Sequence, residues 1–202
     1  QGRLSEAMDY AQKAIDICKN NNLQSELVYA LTMAGDVMIA DKKNKEAFDY
    51  FDRALKLAKS QDFGSISLAD FLNNRGNALK RLGRFPEAIK DYEEALAIAK
   101  KSNYPSAISA TIANLGEVNL LMGNYKEALP YQLETVRLQE RDSDLSNITE
   151  NYLHVSNIYE HLGDYKSALT YHKKALLIRD SVASVKSDEA MSKMLTLYET
   201  KK

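Results

Sequence analysis

The sequence predicts an all-α chain assembled from repeated helical units, and three observations carry that expectation. Ala7, Ala47, Ala88, Ala128 and Ala168 follow one another at intervals of 40, 41, 40 and 40 residues. A small residue stands seven places after each of them: Ala14, Ala54, Ala95, Thr135 and Ala175. Gly35, Gly76, Gly116 and Ser156 stand twelve places before the alanines of their own units. Seven residues make two helical turns, so the paired small residues share one face and admit a close neighbour. A glycine inside a helix costs roughly 1 kcal/mol relative to alanine, so a column of small residues implies a packing demand, here a close helix crossing.

Taken in order, the apolar periodicity predicts helices at 4–20, 24–41, 45–60, 65–82, 85–102, 105–122, 125–141, 145–162 and 165–180. The second helix of each unit opens on the repeated alanine motif, as in Glu46-Ala47-Phe48-Asp49-Tyr50 and Glu127-Ala128-Leu129-Pro130-Tyr131. Turns fall at Asn20-Asn21-Asn22, Gln61-Asp62-Phe63-Gly64, Ser102-Asn103-Tyr104-Pro105 and Asp142-Ser143-Asp144. Within units the break is Leu82-Gly83-Arg84-Phe85, Met122-Gly123-Asn124-Tyr125 and Leu162-Gly163-Asp164-Tyr165, where glycine supplies a left-handed helix terminus. Pro86 suits a first turn, whereas Pro130 lies a turn inside its helix and predicts a mild kink. Gly2 occupies the column of Gly83, so the first unit begins at its second helix and the chain reads as part of a longer protein. Met191, Met194, Leu195 and Tyr198 mark one more amphipathic helix, expected to cap the array or connect it to another module.

Column by column over residues 2–180, the chain resembles tetratricopeptide repeat proteins of the long, roughly forty-residue variety. The resemblance implies a right-handed α-α superhelix of stacked antiparallel hairpins, whose concave wall is formed by the first helix of each pair. The organisation expected is a half repeat at 1–22, repeats at about 23–62, 63–103, 104–143 and 144–181, and a terminal helix at 182–202. Arg179-Asp180-Ser181 and the ending Leu197-Tyr198-Glu199-Thr200-Lys201-Lys202 are similar to the segment that follows the repeats in bacterial sensor histidine kinases and helix-turn-helix regulators of this class.

If the first helices line a groove, the residues two before each small-residue column face a ligand: Met33, Asn74, Asn114 and His154. Flanking them are Thr32 and Asp36, Asn73 and Asn77, Ala113 and Glu117, Leu153 and Asn157. An asparagine amide both donates and accepts, so a ladder of them can hold the N–H and C=O groups of an extended peptide. The same amides can instead pair with neighbouring helices. The candidate site is therefore Met33, Asp36, Asn73, Asn74, Asn77, Asn114, Glu117, His154 and Asn157. The chaperone-tail clamp of some relatives needs basic residues beside such asparagines, which these columns lack. Lys80 and Arg81, at the groove edge, read as a solvated helix end.

Net charge is −1 with both signs interspersed, which argues against a nucleic-acid partner. The single Cys18 reads as a core thiol, no apolar run reaches the length of a membrane span, and no cofactor is expected. His154 and His161, seven residues apart, stand about 10 Å from each other along a helix, too far to share one metal ion. No phosphate loop, metal-spaced Cys/His set or nucleophile motif occurs, so no enzyme activity is expected. The predicted role is a protein-interaction module binding a peptide or protein segment, as the sensory part of a larger bacterial signalling protein, periplasmic or cytoplasmic. The rivals are a scaffold without a ligand, dimerising through residues 4–20 or 184–198, and a regulatory array attached to a kinase.

Overall fold

The computed structural model describes residues 2–61, 63–142 and 148–179, and they are helical throughout apart from short turns. The helices are α1 (Gly2–Asn20), α2 (Gln24–Ala40), α3 (Asn44–Ser60), α4 (Ser65–Arg81), α5 (Phe85–Lys101), α6 (Pro105–Leu121), α7 (Tyr125–Asp142), α8 (Ile148–His161) and α9 (165–179). Their bounds follow the predicted spans closely. Pro86 occupies the first turn of α5, and Pro130 lies within α7. The helix predicted near Met191 to Tyr198 falls outside the described residues.

Five helix ends close in one way. Asn22, Lys42, Gly83, Asn103 and Gly163 hold φ between 49° and 80°, the left-handed region that reverses the chain. The next residue then donates its backbone N–H across the end of the helix: Leu23 to Cys18 at 2.8 Å, and at 2.9 Å Lys43 to Met38, Arg84 to Leu79, Tyr104 to Ala99 and Asp164 to Tyr159. This double closure satisfies the last carbonyls by backbone alone. Of the helices that follow, α2, α3, α5 and α6 start without side-chain caps, whereas at the start of α9 the Ser167 backbone N–H donates to Asp164 Oδ1 at 3.1 Å.

Two compact units divide the chain, residues 1–122 and 123–202. In the first, α3 and α5 carry the second-helix alanines inward: Ala47, Ala54, Ala88 and Ala95 are all buried, while Ala7 and Ala14 of α1 are half-buried. Two glycines of the column, Gly35 and Gly76, are sockets for rings. A Cβ on Gly35 would stand 2.5 Å from the Phe51 ring, and one on Gly76 would stand 2.6 Å from the Tyr92 ring. Close approach therefore occurs within a hairpin, from an aromatic four residues after the repeated alanine, and not from the backbone of a crossing helix. Cys18 lies buried with Ile15, Val28 and Leu55, as a core thiol should. In the second unit Ala168 and Ala175 are buried, and Ser156 takes the column position with its hydroxyl donating to the Ala168 carbonyl at 2.8 Å.

Candidate functional site

Heptad spacing along α4 places Asn73, Asn77 and Lys80 on one side of the helix, with Asn74 and Arg81 beside them. In the first unit these residues meet α6 through a chain of hydrogen bonds. Asn114 Nδ2 donates to Asn73 Oδ1 at 2.9 Å, and Lys80 Nζ donates to Asn114 Oδ1 at 3.1 Å and to Glu117 Oε2 at 2.5 Å. Within the α4–α5 hairpin, the Tyr92 hydroxyl donates to Asn77 Oδ1 at 2.8 Å. Burial, first of all, pushes that phenol well above its usual range, so it remains a neutral donor.

These helices enclose a recess of about 290 Å³, lined among others by Asp36, Asn74, Asn77, Lys80, Arg81 and Asn114. Four of the predicted site residues thus share one hollow, and Asn73 and Glu117 are hydrogen-bonded to its lining residues Asn114 and Lys80. Asn74 stands apart, since its amide has no hydrogen-bond partner among the described residues. Asp36 is also unpaired there, and burial raises its carboxyl above the usual carboxylate range. Met33 is exposed on the same face of α2.

The remaining two candidates belong to the second unit. His154 is half-buried, with Nε2 3.9 Å from Glu150 Oε1 and with Nδ1 buried and unpartnered. Asn157 is exposed, and its backbone carbonyl lies 2.9 Å from His161 Nδ1. Among the described residues no group of side chains could hold a metal ion.

Lys80 corrects the sequence-based expectation. It is no solvated helix end: its side chain is only 13% exposed, and it ties α4 to two residues of α6. The available signal was its position three residues after Asn77 and seven after Asn73. Arg75 lies outside the predicted site. Its guanidinium donates twice to Asp91, at 2.7 and 2.8 Å, and once to Asp52 at 2.7 Å. Asp91 stands where the other units have Tyr10, Tyr50, Tyr131 and Tyr171, so the exception to the column marked the spot.

The sequence model of the tetratricopeptide repeat family matches residues 26–101, 67–141 and 106–181. The chain belongs to the tetratricopeptide repeat family. Its fold supports a protein–protein interaction module, and members of the family are typically non-catalytic. A fungal relative, DnaJ homolog subfamily C member 7 homolog of Schizosaccharomyces pombe (strain 972 / ATCC 24843), is 37% identical over 98 residues, which cover 45% of this chain and 20% of the relative. The match thus spans about a fifth of that protein's length.

Two solved structures share the fold. The kinesin light chain nearly identical TPR-like repeats of Podosopora anserina superpose with a TM-score of 0.73 at 16% identity, over 91% of this chain and 90% of that one. The apo form of RapI superposes with a TM-score of 0.76 at 19% identity, over 89% of this chain and 50% of that one. At such identities the likeness concerns architecture alone.

Proposed function

We propose that the recess between α2, α4 and α6 binds an extended peptide or protein segment, and that the chain serves as the recognition part of a larger signalling protein. The observation that carries this reading is Asn74. In a neighbourhood where Asn73, Asn77 and Asn114 are each bonded to another side chain, its amide spends neither group and keeps donor and acceptor open at the recess wall. A main chain offers the matching pair of groups at every residue.

The competing reading is a scaffold without a ligand, and the Asn73–Asn114–Lys80–Glu117 chain lends it support, because amides spent on neighbouring helices are stiffeners. Titration of labelled peptides against the wild-type protein and the Asn74→Ala/Asn114→Ala variant separates the two. The recess reading expects affinity to fall by about tenfold, the loss of one or two hydrogen bonds to a peptide. Equal binding by both proteins removes the recess from the account. The spacer reading expects a dimer in sedimentation, sealed through residues 4–20, where Tyr10 and Ile17 stand exposed, or through 184–198.

A further inference from the structure

Tyr29, Met33 and Asp36 follow one another at i, i+4 and i+7 along α2, a single stripe of its surface. Two of the three are large apolar side chains left in water, Tyr29 at 52% and Met33 at 58% exposure. The Tyr29 ring is nonetheless held in place, with its centroid 5.8 Å from that of Phe63 and 6.0 Å from that of Phe71. The stripe thus offers a fixed apolar bed that ends in a carboxylate.

That carboxylate lacks a cation. Asp36 is exposed and forms no ion pair or hydrogen bond among the described residues, while partial desolvation by its neighbours raises its carboxyl above the usual range. Asp70, on α4, is half-buried, and burial raises its carboxyl too. It has a hydrogen bond from Tyr104 and no ion pair among the described residues. Of the nearby cations, Lys80 is taken by Glu117 and Asn114, and Arg81 forms no ion pair among those residues. Asp36 thus lines the recess together with Lys80 and Arg81 and pairs with neither among the described residues. A partly dehydrated carboxylate gains most from a charge delivered by a ligand that also excludes water. An aliphatic stem with a cationic tip meets both parts of the stripe, the stem on apolar surface and the tip on the acid.

We propose that Tyr29, Met33 and Asp36 form a subsite for a lysine or arginine side chain of the bound segment, with the methylenes on Met33 and the Tyr29 ring and the head group on Asp36. This rests on the recess reading and adds the chemistry of the partner to it.

The test uses labelled nonapeptide pools, randomised except for a central lysine, arginine, norleucine or glutamate, read by fluorescence anisotropy. The lysine and arginine pools are expected to bind wild-type protein about tenfold tighter than the norleucine pool, as a charge-assisted contact should. Asp36→Asn, nearly isosteric, should erase that advantage, so that the variant binds the lysine, arginine and norleucine pools alike. Lysine and norleucine pools that bind alike, a tighter glutamate pool, or an advantage that survives Asp36→Asn overturns the subsite. If binding survives Asp36→Asn but not Asn74→Ala/Asn114→Ala, the recess stands and the subsite falls. If the asparagine variant binds every pool normally while Asp36→Asn loses the basic preference, the subsite stands and the recess reading falls.

Discussion

Removing the guanidinium of Arg75 would leave Asp91, only 3% exposed, without its cation, and would leave Asp52 with Lys56 alone. Breaking a buried pair from one side costs about 3–5 kcal/mol, because the abandoned charge keeps its desolvation penalty. Arg75→Ala should therefore lower the unfolding free energy measured in urea by that order, while Arg75→Leu/Asp91→Leu should recover part of the loss. The pH dependence has a definite sign. Burial pushes the Asp52 carboxyl up, but hydrogen bonds from Lys56 and Arg75 outweigh it and hold the group below its ordinary 3.8. Its stabilising share is complete above that value and fades as pH falls through the lower folded value. Arg75 stays charged throughout, held up first by its bonds to Asp91. The gap between wild type and Arg75→Ala should narrow in acid; a gap that widened below pH 3.8 would contradict this account. No helical pattern announces such a contact, since Arg75 meets residues 16 and 23 positions away on two other helices.

Each hairpin of the first unit is keyed by a glycine and a ring, and the key explains why helix boundaries were easier to foresee than contacts. Turn chemistry is local: Gly83 and Gly163 signalled reversals, and Asn22, Lys42 and Asn103 adopt the same φ sign with poorer residues for it. The small-residue column was equally legible, but its partner was not, because Phe51 and Tyr92 reach Gly35 and Gly76 only once the hairpin is folded. Gly76→Ala should be more costly than helix propensity suggests. The gain in propensity, roughly 1 kcal/mol, is set against a methyl 2.6 Å from a fully buried ring whose hydroxyl is tethered to Asn77. Overpacking of this kind costs about 1–3 kcal/mol, so the net change should be destabilising in chemical denaturation with an unaltered slope. A raised midpoint would show that the ring yields freely.

At the scale of the molecule, the division after Met122 leaves every recess residue, from Asp36 to Glu117, inside one compact unit. Residues 1–122 alone should retain a helical circular-dichroism spectrum and bind the same peptides with unchanged affinity; a fragment that folds yet fails to bind would show that residues 123–202 contribute to recognition. The repeat register made the all-α class and the asparagine ladder legible, whereas the capture of Lys80 by Glu117 depends on two helices 37 residues apart in register. The glycine sockets carry one more consequence, for how such chains grow. Because Gly35 and Phe51, like Gly76 and Tyr92, lie in the same hairpin, a gene segment copied or deleted as a whole hairpin transmits lock and key together. Recombination that breaks between the two helices must find a new match for each.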